Sequence, residues 1–144
     1  ALVLDALMDG VFFLYGGAEA CDVHRNSIFY SREHSAGRDC TVTWDTYLTE
    51  NAVRRRALIR ALISLRKSEP ALAGKDTAFA YVGEKTLVFT RGAGEGKLTV
   101  GVNLSDKEET VPVTLAGKTV LLMRNAAFGE ETKLGSYGYF VCKD

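Results

Sequence analysis

The sequence predicts an α+β chain, with a short helix, an apolar strand and one long helix ahead of an antiparallel all-β half. Three observations carry this. After Ala73-Gly74 the hydrophobic period changes from about 3.6 residues to about 2. Before that point, Asn51 to Ser68 carries a one-sided apolar stripe. Earlier still, Gly10 separates a helically spaced stretch from an apolar run without alternation.

From Ala1 to Asp9 the apolar residues Leu2, Val3, Leu4, Leu7 and Met8 fall at helical spacing, and Gly10 supplies the stop that ends helices in a left-handed residue. Val11 to Tyr15 is continuously apolar, the pattern of a strand buried on both faces in a parallel sheet. Helix, Gly and doubly buried strand form one αβ step, with no parallel neighbour visible in this chain. Gly16 to Tyr47 reads as a long irregular segment with aromatics at Phe29, Tyr30, Trp44 and Tyr47, and loops of this length are usually functional or disordered.

The long helix places Val53, Ala57, Leu58, Ala61, Leu62 and Leu65 on one face. Asn51 is the expected N-cap, Arg66 and Lys67 suit the negative end of the helix dipole, and Pro70 lies just past the end. Arg54, Arg55 and Arg56 point in three directions on a helix, which makes them a solvated face rather than a nucleic-acid tag. Strands are expected over 77–82, 85–91, 97–104, 109–115, 118–123 and 137–143, separated by Gly83-Glu84, Gly92 to Gly96, Ser105-Asp106, Ala116-Gly117 and Gly135-Ser136. Short strands joined by hairpin-length turns mean an antiparallel sandwich or barrel. A boundary near Gly74 gives two domains, 1–74 and 75–144. Alternation predicts that Tyr81, Phe128, Tyr137 and Tyr139 are mostly core.

Composition sets further bounds. A chain of 144 residues is too short for a closed eight-stranded α/β barrel, which needs roughly 200 to 250. Eighteen basic residues balance 18 acidic ones, so there is no basic excess to release counterions from a nucleic acid. The run Val11 to Tyr15 is far below the roughly 20 apolar residues of a membrane span. Cys21, Cys40 and Cys142 are an odd number without a CxxC pair; free thiols in a reducing, cytoplasmic compartment are the favoured reading, with a Cys21–Cys40 bridge as the alternative. The chain opens on Ala1 without an initiator Met, as a chain starting inside a longer protein would.

Candidate chemistry is sparse. Glycoside hydrolysis needs two carboxyl groups about 5 to 9.5 Å apart, and no pair among Asp5, Asp9, Glu19, Asp22, Glu33, Asp39 and Asp45 is fixed on neighbouring strands by the pattern. His24 and His34 lack zinc-ligand spacing, so no metal or cofactor is expected. Cys21, Asp22 and His24 adjoin in sequence, which does not give the facing geometry of a nucleophile and its base. Gly92 to Gly96 sits between two strands and reads as a hairpin turn rather than a phosphate loop.

Several segments resemble α-amylase family glycoside hydrolases. Gly10 to Glu19 is similar to the family's eighth barrel strand running into a Y-x-G-x-E loop. Arg38 to Asp45 resembles the arginine-to-Trp-Asp stretch that follows, and Leu58 to Leu72 the last barrel helix and its exit. Leu98 to Ser105, with its Val-Asn-Leu-Ser end, and Gly138 to Val141 resemble parts of the C-terminal β-sandwich. The resemblance covers nearly the whole chain in order. It implies the end of a barrel followed by a Greek-key sandwich, α-glucan oligosaccharides or polysaccharides as the partner of the whole enzyme, and no catalytic residue here, because the family's nucleophile, acid and stabilising Asp belong to strands four, five and seven. It implies glucan contacts only peripherally, at Asp22, Arg25 and Arg38, although the family spaces its Asp and Arg by four residues and Asp22 and Arg25 are three apart. Tyr15 and Glu19 would structure the loop. An uncovered strand Val11 to Tyr15 would favour a homo-oligomer. The alternative is a non-catalytic carbohydrate-binding or protein-interaction module.

Overall fold

The computed structural model describes residues 1–22 and 44–144. Elements run in the order α1 (Leu2–Leu7), a 3-10 turn (Ala18–Ala20), α2 (Glu50–Ser68), a second 3-10 turn (Pro70–Leu72), then β1 (Thr77–Val82), β2 (Thr86–Arg91), β3 (Leu98–Asn103), β4 (Glu109–Val111), β5 (Thr119–Phe128) and β6 (Thr132–Lys143). The fold is α+β, and every strand pairing is antiparallel. The chain divides into two compact units, Phe13–Ala61 and the combination of Ala1–Phe12 with Leu62–Asp144.

In the second of these, the sheet order is β1-β2-β3-β6-β4, with β5 also on β6. β6 is the shared strand. Its residues 139–143 pair with β3 and 132–134 with β4, while β5 runs along its other edge. The last strand returns beside β3, and β4 and β5 lie on opposite edges of β6 rather than side by side. Gly92, Gly94 and Gly96 take φ of 75°, 66° and 86°, so the glycine-rich run is the β2–β3 hairpin turn that its position predicted.

The core joins residues from across this sheet: Val88 of β2, Val111 of β4, Leu115, and Leu134, Phe140 and Cys142 of β6, flanked by Tyr81, Val113 and Ala126. All six residues of β3 are buried, because the strand is paired on both edges and α1 lies against it. Gly101 of β3 stands opposite Phe140 of β6. A Cβ there would lie 2.2 Å from the Phe140 ring, so only glycine admits the aromatic. Phe140 also meets Phe128 edge to face at 5.7 Å.

Side-chain contacts tie the elements of this unit to one another. Arg91 is 1% exposed and donates to the carbonyls of Leu7 at 2.7 Å, Gly74 at 2.6 Å and Leu72 at 3.4 Å. Burial holds its guanidinium below the usual arginine pKa, with Asp9 pulling the other way. Arg66 donates to Ala6 O at 2.6 Å and Gly10 O at 2.9 Å, and Lys143 reaches Glu69 at 2.8 Å.

Several expectations are corrected. Val11 to Tyr15 forms no strand; Val11 is 87% and Phe13 67% exposed. A strand buried on both faces needs parallel neighbours, and the described residues provide none. The long helix starts one residue earlier than expected and its cap is Thr49, not Asn51: the Thr49 hydroxyl accepts from Ala52 N–H at 3.3 Å and its carbonyl from Val53 N–H at 2.9 Å.

The expected turn at Gly135-Ser136 lies inside β6. Ala126 pairs with Leu134 and Arg124 with Tyr139, so four residues of β6, Gly135 to Gly138, stand opposite Asn125 alone. This is a large bulge. Asn125 (φ 47°) and Tyr137 (φ 48°) adopt left-handed backbone there, and a Cβ on Gly138 would sit 2.4 Å from Asn125 O. The bulge turns Tyr137 outward, 62% exposed, and Phe128 is 37% exposed, against the expectation of core. The hairpin turn itself is at Gly129, whose N–H donates to Glu131 O.

Asn103, 3% exposed, anchors the bulge. Its amide nitrogen lies 2.7 Å from Lys107 O and 3.0 Å from both Leu134 O and Gly135 O, while its oxygen accepts from Ser105 N–H at 2.8 Å and Ser105 Oγ at 2.9 Å. Tyr137 N–H donates to Ser105 O, and Asn125 Nδ2 to Ser136 O. The Val-Asn-Leu-Ser signature is thus a buried polar anchor.

Candidate functional site

The unit Phe13–Ala61 contains the candidate site, built from two turns. The first is closed by its own main chain: Ala18 N–H donates to Tyr15 O, Ala20 and Asp22 N–H both to Gly17 O, and Cys21 N–H to Ala18 O. Gly17 (φ 90°) and Cys21 (φ 57°) take left-handed backbone at its two ends. Glycine adopts that conformation without penalty, and a cysteine does not. Glu19 and Asp22 are half-buried on this turn, and Tyr15 is 37% exposed at its start.

The second turn is Trp44 to Thr49. Tyr47 N–H donates to Trp44 O and Thr49 N–H to Thr46 O, which leads into the Thr49 cap of α2. Thr46 Oγ1 donates to Ala20 O. That bond sets the two turns side by side.

The second turn carries aromatics in a defined arrangement. Trp44 and Tyr47 meet edge to face, with ring centroids 5.7 Å apart and planes at 63°. The Arg56 guanidinium carbon lies 3.7 Å from the Tyr47 ring centroid, and Arg56 NH1 donates to Tyr47 O at 2.6 Å. Arg54 pairs with Glu50 one helical turn before it. The triple-arginine stretch is therefore not uniformly solvated, because Arg56 is held against an aromatic ring. The sequence placed Trp44 and Tyr47 in a functional-length segment but did not pair them, since their contact depends on the turn geometry.

Of the expected site residues, the structure brings Tyr15, Glu19 and Asp22 together on the first turn. Arg25 and Arg38 lie outside the described residues, as do His24, His34, Phe29, Tyr30 and the Cys40 half of the Cys21–Cys40 alternative. Cys21 is a free thiol, and so is Cys142, whose thiol burial pushes to a higher pKa. Among the described residues no three His, Cys, Asp or Glu side chains cluster as metal ligands would, and no described helix is long and apolar enough to cross a membrane.

No family model and no curated protein sequence matches the chain. Solved structures do. AmyP in complex with maltose superposes with a TM-score of 0.72 at 19% identity over 98% of this chain and 33% of that one. Pullulanase from Anoxybacillus sp. LM18-11, complexed with maltotetraose, gives 0.70 at 19% identity over 99% and 22%. Amy13B of Eubacterium rectale gives 0.65 at 21% identity over 99% and 33%. These are enzymes of the α-amylase family, GH13, and the fold of this chain is one they share. The chain spans a third or less of the length of each.

Proposed function

We propose that this chain is the carboxyl-terminal part of an α-amylase-type enzyme acting on α-glucans. Residues 1–74 would complete its catalytic barrel, and 75–144 would form a stabilising sandwich without catalytic groups of its own. One observation carries the reading: three α-amylase-family enzymes each align with 98% or more of the chain, while it spans only 22% to 33% of theirs. The order of the sequence segments supports it independently, from Gly10 to Glu19 through the helix exit to the Val-Asn-Leu-Ser strand.

In this reading Asp22, Arg25 and Arg38 contact the outer part of the glucan, and Tyr15 and Glu19 shape the loop. The exposed apolar side chains Val11 and Phe13 are then the surface through which the segment pairs, with the rest of a barrel or with a second copy. The test is the coding sequence upstream of Ala1 together with an assay of the purified chain. The reading requires a His-Asp pair encoded shortly before the helix at Leu2, and no hydrolysis of soluble starch by the 144 residues alone. Starch hydrolysis by this chain, or an upstream sequence without such a pair, overturns it.

A further inference from the structure

Asp9-Gly10 is the one place in the sequence where an Asp or Asn precedes Gly. It lies just past the C-terminal end of α1, outside any helix or strand, and both residues are exposed. Gly10 takes a φ of 118°, and a Cβ on it would meet no atom within 4 Å. The Gly10 nitrogen is therefore open to approach, with no side chain beside it as a shield and a backbone free to turn.

Two arginines grip the chain around this peptide bond. The Arg66 guanidinium donates to Ala6 O at 2.6 Å and to Gly10 O at 2.9 Å, so one side chain spans Asp9. Arg91 donates to Leu7 O at 2.7 Å, and the negative charge of Asp9 favours its cationic form. α1 has six residues and no basic residue in its own last turn, so the carbonyls at its C-terminal end take donors brought from α2 and β2.

We propose that Asp9-Gly10 is a site of spontaneous isoaspartate formation, and that the modification releases α1 from the clamp made by Arg66 and Arg91. The Gly10 amide nitrogen attacks Asp9 Cγ. An N–Cγ bond forms, the Cγ–OH bond of the protonated carboxyl breaks, and water leaves with the amide hydrogen, giving a five-membered succinimide. Water then adds to one of the two ring carbonyl carbons. Addition at Cγ restores aspartate. Addition at the main-chain carbonyl breaks its bond to nitrogen and leaves the chain running through Cβ and Cγ, with a carboxylate on Cα. The two steps lose and regain one water, so mass is unchanged and no oxidant, reductant or cofactor is needed.

Isoaspartate lengthens the main chain by one methylene between the two carbonyls that Arg66 spans, and it displaces the carboxylate whose charge favours Arg91. A planar guanidinium holds its donors in a fixed fork, so it loses one of the two acceptors when their separation changes. Arg91 stays in place through Leu72 O and Gly74 O. α1 is the part set loose.

Ageing the full chain at mildly acidic pH and physiological temperature, followed by digestion with a protease that cuts before Asp but not before isoaspartate, reads the reaction site by site. The cut before Asp9 should fail progressively, giving a fragment Asp5–Cys21 with the mass of the unmodified sequence, while the cuts before exposed Asp45 and Asp76, each followed by Thr, persist. An isoaspartate carboxyl methyltransferase supplied with S-adenosylmethionine should place a methyl group on that fragment. Asp9→Glu keeps the charge but would need a six-membered ring, and it should abolish both signals. In the isomerised fraction, hydrogen exchange at the Asp5 and Met8 N–H groups, which donate to Ala1 O and Leu4 O, should quicken about tenfold or more, as the loss of a hydrogen bond from a charged donor implies.

Complete cleavage before Asp9 after ageing overturns the proposal, and so does equal loss of the cuts before Asp45 and Asp76. Unaltered exchange at Asp5 and Met8 in the isomerised fraction overturns the release of α1. None of these outcomes depends on the α-glucan reading.

Discussion

Replacing Asn103 tests whether the β5–β6 bulge is held by one buried amide. The amide nitrogen has two hydrogens and three carbonyls within 3.0 Å, one of them, Leu134 O, in a buried hydrogen bond. Asn103→Ala leaves that carbonyl without its donor, a loss of about 1 to 3 kcal/mol. The part-buried Lys107 and Gly135 carbonyls can turn to water, and together with the two Ser105 bonds they add about 0.5 to 1 kcal/mol each at most. The expected loss is on the order of 3 kcal/mol, or about 10 °C in Tm for a chain of this size. Asn103→Asp should cost more at neutral pH, because it keeps the acceptor for Ser105 but turns a carboxylate oxygen toward three carbonyl oxygens. That carboxyl is destabilised as an anion, so its folded pKa lies above the unfolded value of about 3.9. The native state then binds more protons than the unfolded one, and stability falls as pH rises. The penalty of Asn103→Asp should therefore shrink between pH 7 and pH 5, where a protonated oxygen can donate to one of the carbonyls. Urea unfolding followed by far-ultraviolet circular dichroism at the two pH values measures this. A loss below about 1 kcal/mol in Asn103→Ala, or a penalty in Asn103→Asp that does not vary with pH, refutes the anchoring role.

Two further substitutions probe the sheet. Gly101→Ala places a methyl 2.2 Å from the Phe140 ring and should cost about 1 to 3 kcal/mol by overpacking; adding Phe140→Leu should recover part of that loss, and additive losses in the double mutant would contradict the contact. Asp144 is held below the usual carboxylate range chiefly by its hydrogen bond from Lys118, with Lys97 adding to it at 3.1 Å. A lowered folded pKa stabilises above the unfolded pKa and is lost as pH falls through the folded one, so Asp144→Asn should be less stable than the parent at pH 7, by less than about 1 kcal/mol, and equal to it in strong acid. A difference that persists at low pH would sink that account.

Much of this architecture was legible because local chemistry and burial agree. The apolar spacing before Pro70 marks the extent of α2, although of the expected face only Leu62 is fully buried, beside Ala52 and Ile59, and Val53 is 47% exposed; the alternating runs after Gly74 mark β1 to β3 nearly to the residue. The cap was misplaced because Asn51 and Thr49 are both good capping residues and only the turn behind Thr49 decides between them. Gly135 and Ser136 read as a turn since a bulge uses the same residue types as a turn, and the Asn103 contacts that convert one into the other come from a strand more than 30 residues away. Val11 to Tyr15 has the composition of a central strand, but composition cannot supply neighbours. At the site, the aromatics were visible as residue types; the stack of Arg56 on Tyr47 and the bond from Thr46 to Ala20 arise from tertiary placement that no period encodes.

The bond from Thr46 to Ala20 joins positions 26 residues apart, so the polypeptide departs from and returns to one point on this unit. Closure by such a bond makes the cost of the excursion depend on the logarithm of its length, and doubling the number of intervening residues adds only about 0.6 kcal/mol. The tie thus lies in the two turns themselves, and loss of the Thr46 hydroxyl would loosen the second turn from the first.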